Sequence, residues 1–142
     1  MTEPTLFTRI IEGQLPGRFV WQDDDCVAFL TIAPHQPGHT LVVPRAPIDR
    51  WTDLPAETWT HLNDVARTIG IALEATFDCV RVGLVVAGLE VPHCHIHLVP
   101  IQSEADLGFA NADHHASADS LDDAARRIRE TLGTDEVGRQ LA

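Results

Sequence analysis

Three histidines occupy alternate positions in the run Pro92-His93-Cys94-His95-Ile96-His97-Leu98-Val99-Pro100. In an extended strand alternate side chains share a face, so His93, His95 and His97 are expected on one side and Cys94, Ile96 and Leu98 on the other, toward a core. Protonated together, the three rings would repel, and each is a weaker strand former than the Val and Ile around it. A polar face that happens to carry histidine is therefore a poor account of the run. Two chemistries fit it better. His-x-His pairs ligate zinc, copper or iron. Neutral imidazole is also a competent nucleophile near pH 7, suited to phosphate chemistry without a metal. Spacing alone leaves both open.

The remaining composition removes alternatives. The chain has 142 residues, the size of one domain, with 21 acids against 10 bases and a formal charge of −11. Binding to a long nucleic acid relies on Lys and Arg neutralising phosphates, so no nucleic-acid polymer is expected as partner. A small nucleotide remains compatible, because one or two phosphates are held by local dipoles and histidines. All ten bases are Arg, which excludes a Walker-type lysine and a Schiff-base lysine. There is no Tyr, and Ser103, Ser117 and Ser120 lie in no nucleophile elbow. Cys26, Cys79 and Cys94 fit no zinc or disulfide framework and are expected to be reduced and mostly buried. Residues 1–9 lack a basic then apolar leader, and no long apolar run is present. The expectation is a cytoplasmic protein without a membrane partner.

Positioning the histidines falls to the elements around them. Leu6–Glu12 reads as a short helix with Leu6, Ile10 and Phe7 inward, ended by Gly13. Arg18–Gln22 and Cys26–Leu30 read as a hairpin about an Asp23-Asp24-Asp25 turn, and His39–Val43 as a third strand. Trp59, Leu62, Ala66, Ile69 and Leu73 recur at spacings of three and four, which predicts an amphipathic helix over Ala56–Thr76. Cys79–Val86 and Val91–Val99 read as two further strands joined by Ala87-Gly88-Leu89-Glu90. Residues 102–119 read as an irregular arm, and Ser120 with Asp123 as a capping-box start to a last helix ending at Gly133. Closely spaced strand pairs call for antiparallel pairing. The fold class is α+β, with a five-stranded antiparallel sheet, one long helix and one or two shorter ones.

The histidine run resembles that of the histidine-triad (HIT) family of nucleotide hydrolases and transferases, with Cys94, Ile96, Leu98 and Val99 at its apolar places. Three further segments are similar: Ile10–Pro16 to the opening helix and turn, Asp23–Leu30 to the first hairpin, and Pro37–Pro44 to the upstream histidine strand. The resemblance spans residues 5–101, taken as the HIT domain, with 102–142 as a C-terminal arm and acidic helix. It is nearest the Hint-like and bacterial branch. It implies a nucleotidyl-histidine mechanism at the α-phosphate of a nucleoside phosphoramidate or phosphoanhydride. His95 would be the nucleophile, its Nδ1 proton held by the carbonyl of His93, with His97 and His39 as donors to the phosphoryl oxygens. Phe29 and Ile32 would neighbour the base of a purine nucleotide. The resemblance implies no cofactor, and a homodimer joined through Ala56–Thr76 with Trp51 and Trp59.

Several positions depart from the family pattern. The carboxylate that binds the ribose hydroxyls is replaced by Thr31, and the Gln common after Gly88 by Leu89. The Asn or Gln on the strand before the triad is absent. Glu90 stands where Hint-like members carry Ser or Thr. A carboxylate cannot donate unless protonated. Glu90 is left as an acid for the leaving amine, a binder of a cationic leaving group, or a solvated side chain. Thr5 and Thr8 stand where many bacterial relatives carry the cysteines of a structural zinc site, so no metal is expected there. Two other functions stay open: a diverged nucleotide or phosphometabolite binder with little turnover, and a metal-dependent hydrolase on the triad.

Overall fold

The computed structural model describes residues 3–141. Its elements run α1 (Leu6–Ile11), β1 (Phe19–Gln22), β2 (Cys26–Leu30), β3 (Thr40–Pro44), α2 (Ala56–Thr76), β4 (Arg81–Val85), β5 (Ile96–Ile101) and α3 (Ala118–Leu132). The strands form one sheet in the order β1-β2-β3-β5-β4, and every neighbouring pair is antiparallel. This is the expected five-stranded α+β architecture. No helix is long and apolar enough to cross a membrane among the described residues.

Strand alternation divides the interior in two. Cys26, Ala28 and Leu30 of β2, Val42 of β3, and Ile96 and Leu98 of β5 join a core with Leu62, Ala66, Ile69 and Leu73 of α2. Ala124, Ala125 and Ile128 of α3 complete it, so the last helix shares the main core. On the opposite face Val27, Phe29, Leu41 and Val43 pack with Phe7 of α1. His97 pairs with Leu41 of β3 and Val85 of β4, between Ile96 and Leu98, and alternation therefore puts it on the α1 face.

Local chemistry sets the ends of these elements. The β1–β2 turn is organised by Asp23. Its carboxylate accepts from the Trp21 indole and from the main-chain N–H groups of Asp25 and Cys26, each at 2.8 Å, with the His61 ring at 2.7 Å. Those contacts hold its acid well below the usual range, at about 2, against the opposing effect of burial. Gly38 precedes the third strand with φ +90°, and a Cβ there would meet the Phe77 ring at 2.7 Å, so both conformation and space require glycine.

Four local expectations are corrected. The strand carrying the histidines begins at Ile96 and runs to Ile101, whereas residues 91–95 are irregular. Cys94 N–H is drawn away from the ladder to the carbonyl of Ile48 at 2.7 Å. The preceding strand is shorter than read, Arg81–Val85. In α1 the buried residue is Phe7, whereas Leu6 is 49% exposed. The last helix begins three residues early because Ser117 is its cap, accepting from Ser120 N–H at 3.1 Å. Residues 102–117 form a largely irregular arm, shorter than read because α3 already begins at Ala118, with two short 3-10 turns, Glu104–Leu107 and Phe109–Asn111.

Candidate active site

A cavity of about 700 Å³ opens on the α1 face of the sheet. Phe7, Ile10, Phe29 and Leu41 give it an apolar floor, with Ile32 at its mouth, and His95 and His97 give it a polar wall. Thr31, Leu89 and Glu90 lie on its rim, so seven of the nine site residues read from the sequence come together here. Ile32 and Leu89 are 74% and 94% exposed, which leaves them open to whatever occupies the cavity. The other two, His39 and His93, are fully buried behind the wall and do not line it.

The hydrogen bonds assign each ring a tautomer. His35 donates its main-chain N–H to Nδ1 of His39 at 3.0 Å, so that nitrogen is an acceptor. Burial pushes the His39 imidazole down to about 3, so near neutral pH its one proton sits on Nε2. Nε2 lies 2.9 Å from Nδ1 of His97 and donates to it. His97, held down to about 4 by burial and by the neighbouring rings, must then carry its proton on Nε2. Among the described residues that N–H has no hydrogen-bond partner.

His95 is turned the other way. Its Nδ1 donates to the carbonyl of His93 at 2.8 Å. Burial keeps the ring below its ordinary value and thus neutral, so the lone pair is on Nε2. Among the described residues only one buried side-chain nitrogen or oxygen lacks a partner, Nδ1 of His35, so Nε2 of His95 and of His97 are not sealed off. The two rings meet at 4.7 Å, edge to face. The wall therefore presents a nucleophilic lone pair beside an N–H donor.

His93 supports this pair from behind. Its Nε2 donates to the carbonyl of Pro44 and its Nδ1 accepts from the Thr5 hydroxyl, both at 2.7 Å. Phe7 packs edge-on against His95 at 4.9 Å and tilted against His93 at 5.7 Å. Thr5 also caps α1, with a reciprocal box to Thr8. A metal on the triad would find no lone pair on His93, and the hydroxyls of Thr5 and Thr8 do not replace zinc-binding thiolates. The N-terminal segment does not fit a zinc site.

Four contributors were not singled out in the sequence as site residues. His35 lies in the Pro34–Gly38 loop, 4.4 Å from His39 and nearly parallel to His97 at 6.1 Å. Phe109, from the arm, sets its edge against His97 at 5.3 Å. Arg18 is the cation at the cavity, tied to Asp122 of α3 at 2.7 Å. Thr5 anchors His93. Only His35, four residues before His39 among Pro and Gly, left a signal in the sequence. The others depend on long-range packing.

The model of the HIT domain matches residues 12–104. A HIT-like protein of Methanocaldococcus jannaschii is 36% identical over 99 residues, spanning 67% of this chain and 77% of that one. One from Mycobacterium tuberculosis is 28% identical over 142 residues, covering 96% and 99%. Among solved structures, a Hit-like protein from Bartonella henselae superposes with TM-score 0.77 at 26% identity, covering 89% and 95%. A zinc-bound histidine triad family protein from Mycobacterium smegmatis does so with TM-score 0.77 at 25% identity, covering 90% and 92%.

Proposed function

The chain belongs to the HIT domain family, and from that premise we propose that it is a metal-independent hydrolase or nucleotidyl transferase acting on nucleoside phosphoramidates or phosphoanhydrides. The observation that carries this reading is the His95 ring, with Nδ1–H on the His93 carbonyl and Nε2 unpartnered at the cavity. Nε2 attacks the α-phosphorus and the P–N or P–O bond to the leaving group breaks with its electron pair. The ring gains positive charge as the bond forms, and the His93 carbonyl dipole faces that charge. The Nε2–H of His97 donates to a phosphoryl oxygen, where charge builds in the transition state. Water then attacks phosphorus and the P–Nε2 pair returns to His95.

The apolar floor suits a purine base, with Phe29 and Ile32 beside it and Thr31 at the sugar. Two further parts of the proposal are a cytoplasmic location and a homodimer. Exposed Trp51, Ile71, Val80 and Leu84 on and beside α2 and β4 favour the dimer. A binder with little turnover is the second reading. It is favoured by Thr31, whose oxygen already accepts from Ala33 N–H at 3.1 Å and offers one hydroxyl where two ribose hydroxyls must be held. A metal-dependent hydrolase is disfavoured because both nitrogens of His93 are engaged.

The test measures nucleoside monophosphate release from a panel of phosphoramidates, with and without chelator. Chelator-insensitive turnover abolished by His95→Ala is expected. Background turnover by the wild type would favour the binder, and chelator sensitivity the metal enzyme.

A further inference from the structure

Breaking a P–N bond requires a proton for the departing nitrogen, and the triad does not supply one. If His97 lost its Nε2 proton it would become an imidazolate. Behind it His39 cannot replace that proton, because its Nδ1 is held by a main-chain N–H. An additional proton on His97 would set N–H against N–H at the 2.9 Å contact. The ring is thus a fixed hydrogen-bond donor. The His95 proton is turned to a carbonyl, His93 is enclosed, and Arg18 stays charged in its pair with Asp122.

One titratable group at the cavity is uncommitted. Glu90 lies on the rim, makes no hydrogen bond or ion pair among the described residues, and follows Gly88, whose φ of +75° turns the segment at the cavity. Its negative charge favours protonation of His95 and His35, which places both rings within its field. His97 and Arg18 are the other ionisable groups around the same space. A nucleotide in the cavity would set its leaving group among these side chains.

We propose that Glu90 is the acid and base on the leaving-group side, in a site built to expel amines. This role rests on the nucleotidyl-histidine reading above. The P–N electron pair goes to nitrogen as the Glu90 carboxyl delivers its proton, giving a neutral amine and a carboxylate. In the second step that carboxylate takes a proton from the attacking water as the P–Nε2 bond breaks. Glu90 and His95 are then restored.

Two substrates with the same nucleoside separate this role from a structural one: an amine phosphoramidate, and a p-nitrophenyl phosphodiester whose leaving phenolate needs no proton. Glu90→Gln is expected to lower phosphoramidate turnover by about 100-fold or more, within the range of general acid catalysis. On the nitrophenyl ester the same variant keeps its burst of nitrophenolate, then stalls and accumulates nucleotidyl-protein. Phosphoramidate turnover within about threefold of wild type, or equal loss of both first steps in a variant with an unchanged melting curve, overturns the role of Glu90. Turnover that survives His95→Ala overturns the underlying reading instead, and wild-type inactivity on both substrates overturns both.

Discussion

The Thr5 hydroxyl donates to Nδ1 of His93 over 2.7 Å, joining residues 88 apart in sequence. The cap of α1 is thereby fastened to the ring whose carbonyl orients His95. Removing the hydroxyl leaves a buried acceptor unpaired, at a cost of about 1–3 kcal/mol. Thr5→Val is expected to lower stability by that amount in urea denaturation and to slow turnover. Thr5→Ser, which keeps the donor, is expected to restore most of both.

Stability should fall in acid through the buried histidines. His39 and His97 are held at about 3 and about 4 in the folded chain, against an ordinary value of 6.5. The unfolded chain binds the extra protons, so stability is complete above pH 6.5 and is lost as pH falls toward 4 and 3. Denaturation midpoints measured across that window should decline steadily, and His39→Gln should flatten the decline. A midpoint independent of pH there would contradict the neutral, buried His39–His97 pair.

Thr31 makes a prediction about the sugar. Its single hydroxyl, already accepting from Ala33 N–H, is expected to give weak preference for ribose over 2′-deoxyribose. Thr31→Asp supplies a carboxylate able to accept both ribose hydroxyls, and should raise that preference by about tenfold, or ~1.4 kcal/mol. Paired titrations with a nucleotide and its deoxy analogue measure it.

Phe109 reaches from the arm to the edge of His97. Aromatic pairs of this kind contribute about 0.5–1.5 kcal/mol. Phe109→Ala should raise KM by about three- to tenfold, with a smaller effect on kcat and little on the melting temperature.

The fold was legible in the sequence wherever local pattern and tertiary demand agree. The long helix matches its apolar spacing over Ala56–Thr76 to the residue. The face assignment of His93, His95 and His97 survives although His93 and His95 precede the strand, because both of those rings pack on Phe7, His97 meets His95, and Ile96 and Leu98 join the opposite core. The strand boundary was not legible, since Cys94 N–H is diverted to a distant carbonyl, Ile48, by a contact that no local pattern encodes. At the site, the proximity of His95 to Phe29, Thr31 and Glu90 followed from family resemblance. His35, Phe109, Arg18 and Thr5 reach it through turns and packing between distant segments. The tautomers of His39 and His97 required coordinates, because they follow from the His35 main-chain N–H, whereas that of His95 was implied by the resemblance.

The central claim is that Nε2 of His95 bonds to phosphorus. Intact-protein and peptide mass spectrometry, after a rapid alkaline quench of the wild type turning over a nucleoside phosphoramidate, tests it directly. One nucleotidyl group on His95, lost on acid treatment and absent in His95→Ala, is the expected result. Rapid turnover with no adduct at any quench time, together with activity retained by His95→Ala, would contradict it.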